Sequence, residues 1–132
     1  MPAFCLLPDD QRPLADRFYR SHRSAMRTRS DHRVWVASEG EIVAALCLQT
    51  IAQGQWLTSL LVAPAQRRQG LACALIDEAL ALANTPTWLF CHPDLHAFYA
   101  QSGFRPCGDL PEALTDRLVR YRRSKTLVAM VR

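Results

Sequence analysis

The chain has no run of apolar residues approaching the ~18 that a membrane-spanning helix needs, and no Cys-x-x-Cys pair. The first absence argues against a spanning helix. The second removes the spacing on which zinc ribbons and redox pairs are built, and no metal site is expected. The cysteines, Cys5, Cys47, Cys73, Cys91 and Cys107, are odd in number and widely spaced, so no disulfide framework is supported. Reduced and mostly buried thiols are expected, with Cys73, near a predicted helix start, the first to check for reactivity. The opening MPAFCLLPDD has no basic leading segment and meets a proline and two acids too soon for a signal peptide. A cytoplasmic location is therefore expected. Internal repeats, linkers and low-complexity segments are also missing. So are the two commonest nucleotide signatures, G-x-x-x-x-G-K-[ST] and G-x-G-x-x-G after a strand.

What is present fits one globular domain over residues 1–132, with 49% hydrophobic and 21% charged residues. The net charge of +4 is mild but uneven. Seven arginines between Arg12 and Arg33 stand against Asp16 and Asp31, and Arg117, Arg120, Arg122, Arg123 and Lys125 form a second cluster. Such patches attract phosphates. No nucleic-acid motif accompanies either, so solvated basic faces are the simpler reading and nucleic acid is not the expected partner.

Along the chain, AFCLL reads as a short strand ended by Pro8, and Pro13 to His22 has helical spacing with Leu14, Ala15 and Phe18 on one face. The arginine-rich SHRSAMRTRSDHR has weak periodicity and reads as a loop or short exposed helix. Val34–Ala37 and Ile42–Ile51 flank the turn chemistry of Ser38 to Glu41, predicting a hairpin. Gln53-Gly54-Gln55 predicts a second tight connection into a strand from Trp56 to Val62. From Gly70 the period changes: Ala72, Leu75, Ile76, Ala79, Leu80 and Ala83 share a helical face, closed by Asn84-Thr85-Pro86. Trp88–Cys91 reads as a buried strand. Pro93 opens a helix with Leu95, Phe98 and Tyr99 on one face and Gly103 at its end. A helix from Pro111 to about Arg122 and a strand from Thr126 to Val131 complete a mixed α/β domain.

The informative stretch is LLVAPAQRRQGLACALIDEALAL, residues 60–82. A strand that enters a glycine loop and then a helix aims unpaired N–H groups at one spot, and the helix dipole adds roughly half a positive charge there. That is an anion site suited to phosphate. Gly70 permits close approach, Ala72 keeps the third position small, and Arg67 and Arg68 supply further charge. A plain strand-to-helix turn with two solvated arginines is the alternative.

Arg67-Arg68-Gln69-Gly70-Leu71-Ala72, preceded by hydrophobic-Val-x-Pro, resembles the [RQ]-x-x-G-x-[GA] segment of the GNAT acetyltransferase superfamily. FYAQSGF, Phe98 to Phe104, resembles the same family's later F-Y-x-x-x-G-F segment. The motif-bearing resemblance covers about residues 56 to 105. It implies a mixed, mostly antiparallel sheet of six or seven strands flanked by helices and splayed between the fourth and fifth. It also implies an acyl-CoA co-substrate, usually acetyl-CoA. The pyrophosphate would rest on backbone amides from Arg67 through Arg68, Gln69, Gly70 and Leu71 to Ala72. The pantetheine arm would pair with the main chain of Leu61 and Val62.

In this family an acyl group passes directly to an amine. Tyr99 matches the family's tyrosine acid; on an apolar helix face it could equally be core. Many relatives place a glutamate on the fourth strand as base, whereas here Trp56 to Val62 contains no carboxylate. That leaves a water chain from Thr58, Ser59 or backbone carbonyls as one substitute. His92, where relatives often carry asparagine, is the candidate substitute base, a replacement for that asparagine, or a helix-start residue. His96 is expected to face solvent. The implied acceptor is a primary amine of a small metabolite or peptide, with a pocket from the N-terminal helix and loop, the turn beyond Gln49 and the segment after Phe104. Its arginines suit an acceptor that also carries a carboxylate or phosphate. The missing carboxylate leaves a non-catalytic acyl-CoA-binding regulator as the alternative, and a homodimer stays open.

Overall fold

The computed structural model describes every residue from Met1 to Arg132. The elements are β1 (Ala3–Leu7), α1 (Arg12–Ser21), β2 (His32–Glu39), β3 (Glu41–Ile51), β4 (Gly54–Val62), α2 (Leu71–Leu80), β5 (Thr87–Cys91), α3 (His96–Ala100), β6 (Arg105–Pro106), α4 (Glu112–Tyr121) and β7 (Val128–Val131). Short 3-10 turns occupy Asp9–Gln11, Pro64–Gln66 and Pro93–Leu95. The seven strands hydrogen-bond in the order β1-β2-β3-β4-β5-β7-β6.

Strands β1/β2, β2/β3, β5/β7 and β6/β7 pair antiparallel, and β4/β5 pair parallel. Only Ala52 and Gln53 join β3 to β4, and so short a link permits only an antiparallel neighbour. The sheet is therefore mixed and mostly antiparallel, as the resemblance implied. The parallel ladder holds at two positions, Gln55↔Thr87 and Trp56↔Trp88. It stops there, although β4 continues to Val62 and β5 to Cys91. Gly54 makes this pairing feasible: a Cβ there would collide with the Pro86 carbonyl oxygen and lie 2.5 Å from the Trp88 ring.

Contacts divide the chain into two compact units, Met1–Gln49 with Leu57–Ala83, and Thr50–Trp56 with Asn84–Arg132. In the first, alternate residues of β2 (Val34, Val36) and β3 (Ala45, Cys47) meet Ala15, Phe18 and Tyr19 of α1, the period-two and period-3.6 patterns closing on one core. Helix α2 buries Leu71, Leu75, Ile76 and Leu80. In the second unit, Trp56, Trp88 and Leu114 form the centre. Phe90 stands edge-on to Trp56 at 4.4 Å.

Several boundaries differ from the sequence-based expectations. The apolar face of α1 is rotated: Ala15, Phe18 and Tyr19 are buried while Leu14 is 44% exposed, because the i, i+3, i+4 set that meets the sheet starts at Ala15. Helix α2 ends at Leu80, three residues before Ala83, and Leu82 is fully exposed, so nothing apolar draws a further turn inward. Gly54 and Gln55 belong to β4, which leaves Ala52 and Gln53 as the turn, with Ala52 at φ +52°. The helix after Pro93 is split into a 3-10 turn and the five-residue α3, and Leu95 is exposed. Strand β6 is new to the order. Two residues carry no periodicity to read, and Pro106 is tolerated because β6 is an edge. Of the five cysteines only Cys47 and Cys91 are buried; Cys5 is exposed, and Cys73 and Cys107 are intermediate.

Candidate functional site

After β4 the chain makes the Pro64–Gln66 turn, extends at Arg67, and then enters the left-handed region twice, at Arg68 (φ +64°) and Gly70 (φ +75°). Gly70 is the N-cap of α2, and no side chain caps the helix. The first helical bond runs from Ala74 N to Gly70 O at 3.0 Å, so the amides of Leu71, Ala72 and Cys73 have no intrahelical acceptor. No acid sits in the first turn. A Cβ built on Gly70 would meet nothing within 4 Å: the space before these amides is open. Unpaired donors, a helix of ten residues behind them and open space together make an anion cradle.

The two arginines differ. Arg67 folds back, its Nε donating to Val62 O at 3.0 Å, and Gln69 Nε2 reaches Ala65 O at 3.5 Å. Arg68 is exposed, and neither arginine pairs with a carboxylate. The loop thus holds its own shape and keeps its positive charge unneutralised. Leu61 and Val62 close β4 half-buried, and the Val62 carbonyl carries the Arg67 bond.

Within β4 itself Ser59 lies at φ +59°. A non-glycine residue in that region costs on the order of 1–3 kcal/mol and persists only where its surroundings hold it. The holder is Tyr19 of α1, fully buried, whose hydroxyl donates to Ser59 O at 2.7 Å and lies 3.7 Å from Cys47 Sγ on β3. Burial, reinforced by Cys47, raises the Tyr19 pKa far above its ordinary value, so the hydroxyl stays a donor. Burial likewise lifts the Cys47 thiol to about 11. From Thr58 onward β4 changes from buried to half-buried.

Tyr99 lies on α3 with its ring edge-on to Phe98 at 5.0 Å and Phe104 at 5.9 Å. It is 8% exposed, and burial, helped by the Cys91 thiol, pushes its pKa up to about 12. The Tyr99 carbonyl accepts both Ser102 N (3.0 Å) and Phe104 N (3.2 Å) around Gly103, which sits at φ +86°. The Q-S-G-F segment is therefore the cap that ends α3. His92 follows β5 directly. Its Nδ1 accepts Asp94 N at 3.0 Å and lies 3.4 Å from Asp94 Oδ2, with the side chain half exposed. It thus starts the helical segment that carries Tyr99. With Nδ1 accepting, the neutral ring holds its proton on Nε2. His96 is exposed.

The first unit also carries a groove of about 950 Å³ beside α1, whose lining includes Leu14, Arg17, Phe18 and His22 and continues to Pro64–Gln66. The C-terminal basic cluster is partly engaged in structure. Arg117 lies over the Trp56 ring at 5.4 Å, Lys125 over Tyr121 at 5.8 Å, and Arg122 Nε donates to Leu127 O at 3.1 Å. No group of three or more His, Cys, Asp or Glu residues could hold a metal ion. No helix is long and apolar enough to cross a membrane.

Sequence reasoning missed Tyr19 and its hydrogen bond to Ser59. A tyrosine at the i+4 position from Ala15 was visible on the helical face, but its partner, 40 residues away, was not.

A family profile described as Acetyltransferase (GNAT) domain matches residues 30–106, more than half of the chain. Comparison with curated protein sequences gives no match. Among solved structures, the Mycobacterium tuberculosis protein Rv2747, solved in complex with CoA, superposes with TM-score 0.73 at 14% identity, over 98% of each chain. A GNAT-family acetyltransferase from Staphylococcus aureus gives TM-score 0.72 at 15% identity, over 100% of this chain and 98% of its own. The ribosomal-protein-S18-alanine N-acetyltransferase of Escherichia coli gives 0.65 at 18% identity, over 99% and 91%. At these identities the likeness speaks for the fold.

Proposed function

The chain belongs to the GNAT acetyltransferase family, and on that premise we propose that it is an acetyl-CoA-dependent N-acetyltransferase whose acceptor is a primary amine of a small metabolite or peptide. One GNAT-like domain spanning residues 1–132 is part of this reading, since the family match runs through both compact units. The observation that carries it is the open, uncapped start of α2 at Gly70, with its unpaired amides and unneutralised arginines.

In this reading the pyrophosphate takes the amides from Arg67 through Arg68, Gln69, Gly70 and Leu71 to Ala72, and the pantetheine arm pairs with the main chain of Leu61 and Val62. Because Arg67 Nε occupies the Val62 carbonyl, an arm that uses this acceptor displaces the guanidinium toward the phosphates. The CoA-bound relative from M. tuberculosis supports this choice of co-substrate.

The amine nitrogen attacks the thioester carbon, the C–S bond breaks, and a thiolate leaves. The family resemblance assigns Tyr99 as the donor to that thiolate. With burial pushing its pKa up to about 12 against roughly 8.5 for a thiol, complete proton transfer is uphill by several kcal/mol, so Tyr99 stabilises the anion by a hydrogen bond. Supplying the neutral amine from an ammonium of pKa about 10.4 costs roughly 4.6 kcal/mol at pH 7. His92 is the titratable group proposed to take that proton, which it does on releasing the Asp94 N–H from Nδ1. Arg17 and His22 of the α1 groove support an acceptor that carries a carboxylate or phosphate beside its amine.

A thiol-release assay with acetyl-CoA against amines, polyamines, amino acids and peptides tests the proposal, with Tyr99→Phe as the partner experiment. Release with at least one acceptor class is expected, falling on the order of 10²-fold or more in kcat for the variant while acetyl-CoA binding is kept. Binding without release across the panel would instead make the chain an acyl-CoA-binding regulator, the reading that the carboxylate-free fourth strand favours.

A further inference from the structure

The left-handed residue inside β4 lies two positions before the segment assigned to the pantetheine arm. In a regular strand, successive carbonyls alternate between the two flanking sides; one residue at φ +59° breaks that alternation and re-aims the main chain beyond it. Ser59 has no glycine-like freedom to adopt this on its own. Tyr19 reaches it from a different element, with no exposure and a hydroxyl bond of 2.7 Å. The same hydroxyl lies 3.7 Å from Cys47 Sγ, so it is held from β3 as well. Further along, Ala63 N donates to Val43 O at 2.8 Å, which ties the exit of β4 back to β3. The three residues between these two anchors, Leu60 to Val62, therefore have both ends set from within the first unit.

We infer that Tyr19 is a positioning residue for the acyl-CoA site: its hydroxyl locks the peptide of Ser59 and so sets the direction in which Leu60–Val62 present their main-chain groups. The inference rests on the cofactor reading given above. It makes the first helix responsible for the geometry of the strand that receives the arm.

Tyr19→Phe tests it, because the ring stays and only the donor goes. Affinities are measured for CoA and for adenosine 3′,5′-bisphosphate, which lacks the pantetheine arm. About a tenfold loss for CoA is expected, or about 1.4 kcal/mol, with the bisphosphate unchanged. A hydroxyl that served stability alone would lower the melting temperature and leave both affinities as in the parent, which overturns the inference. Adding Ser59→Gly supplies a residue that takes φ +59° without strain, and the double variant is expected to bind CoA within about threefold of the parent. The double variant also carries the test if Tyr19→Phe is too unstable to titrate, since glycine removes the strain. A CoA loss that glycine does not recover overturns the inference. A parent chain that binds no acyl-CoA defeats the functional proposal instead, and is recognised before either variant is made.

Discussion

Gly70 is where the proposed phosphate site can be tested with least ambiguity. The pair Gly70→Asn and Gly70→Asp differs in charge and hardly in shape. Both residues enter the left-handed region more readily than other side chains, so the φ of +75° strains the two alike. Neither Cβ meets a neighbouring atom within 4 Å. The aspartate places one negative charge before a diphosphate that carries at least two. At ~5 Å in the dielectric of bulk water that repulsion is about 1.7 kcal/mol, or roughly 15-fold in Kd, and it grows as the site excludes water. Stability moves in the opposite direction: an acid at a helix N-terminus is favourable by about 0.3–1 kcal/mol. Weaker binding by the aspartate variant therefore cannot come from unfolding. Calorimetric titration with acetyl-CoA is expected to give Gly70→Asn a Kd near the parent's and Gly70→Asp one at least ~15-fold higher, converging as salt is raised. S-acetylpantetheine, which has no diphosphate, should bind the two variants equally. An aspartate variant that binds acetyl-CoA within twofold of the asparagine variant would show that the phosphates lie elsewhere.

Other consequences are open to measurement. His92→Asn retains a strong helix-start residue in place of the bond to Asp94 N but removes the proposed base, so kcat should fall on the order of 10²-fold while acetyl-CoA binding is kept; an unchanged kcat leaves His92 as a cap only. Tyr99 has a folded pKa of about 12 against roughly 10 when free, so its neutral form stabilises the protein fully below pH ~10, and this is lost as pH rises through about 12. Urea unfolding at pH 9 and pH 11.5 should show a smaller loss for Tyr99→Phe than for the parent, and equal losses would contradict the burial. Gly54→Ala drives a methyl into the Pro86 carbonyl and the Trp88 ring and should destabilise by about 3 kcal/mol or more; an unaltered unfolding midpoint would refute the close β4–β5 approach.

The strand–glycine turn–helix arrangement proposed to hold phosphate was legible because its determinants are local. A strand ending at Val62, a glycine at position 70 and an amphipathic helix from Leu71 lie within about twenty residues, and their periodicities survive any packing. The hairpin of β2 and β3 was legible for the same reason, with β-branched and apolar runs on both sides of the turn residues Ser38 to Glu41. The resemblance added the parting of β4 from β5, which no periodicity contains.

Other features could not be read ahead. Which face of α1 turns inward depends on the sheet beneath it, so Leu14, which spacing placed inward, is exposed and Tyr19 is buried. Strand β6 exists only because β7 supplies its partners at Val131 and Met130. His92 carried three readings by residue type, and the hydrogen bond from Asp94 N places it at the helix start, the third of them, which a list of titratable groups does not distinguish. By itself the sequence determined an α/β chain with a glycine turn from strand to helix near Gly70, since those properties follow from neighbouring residues. Tertiary structure decided that Ser59 bends the fourth strand and that a tyrosine 40 positions earlier holds it there. A strained peptide needs a distant group to fix it, and only folding brings that group within reach.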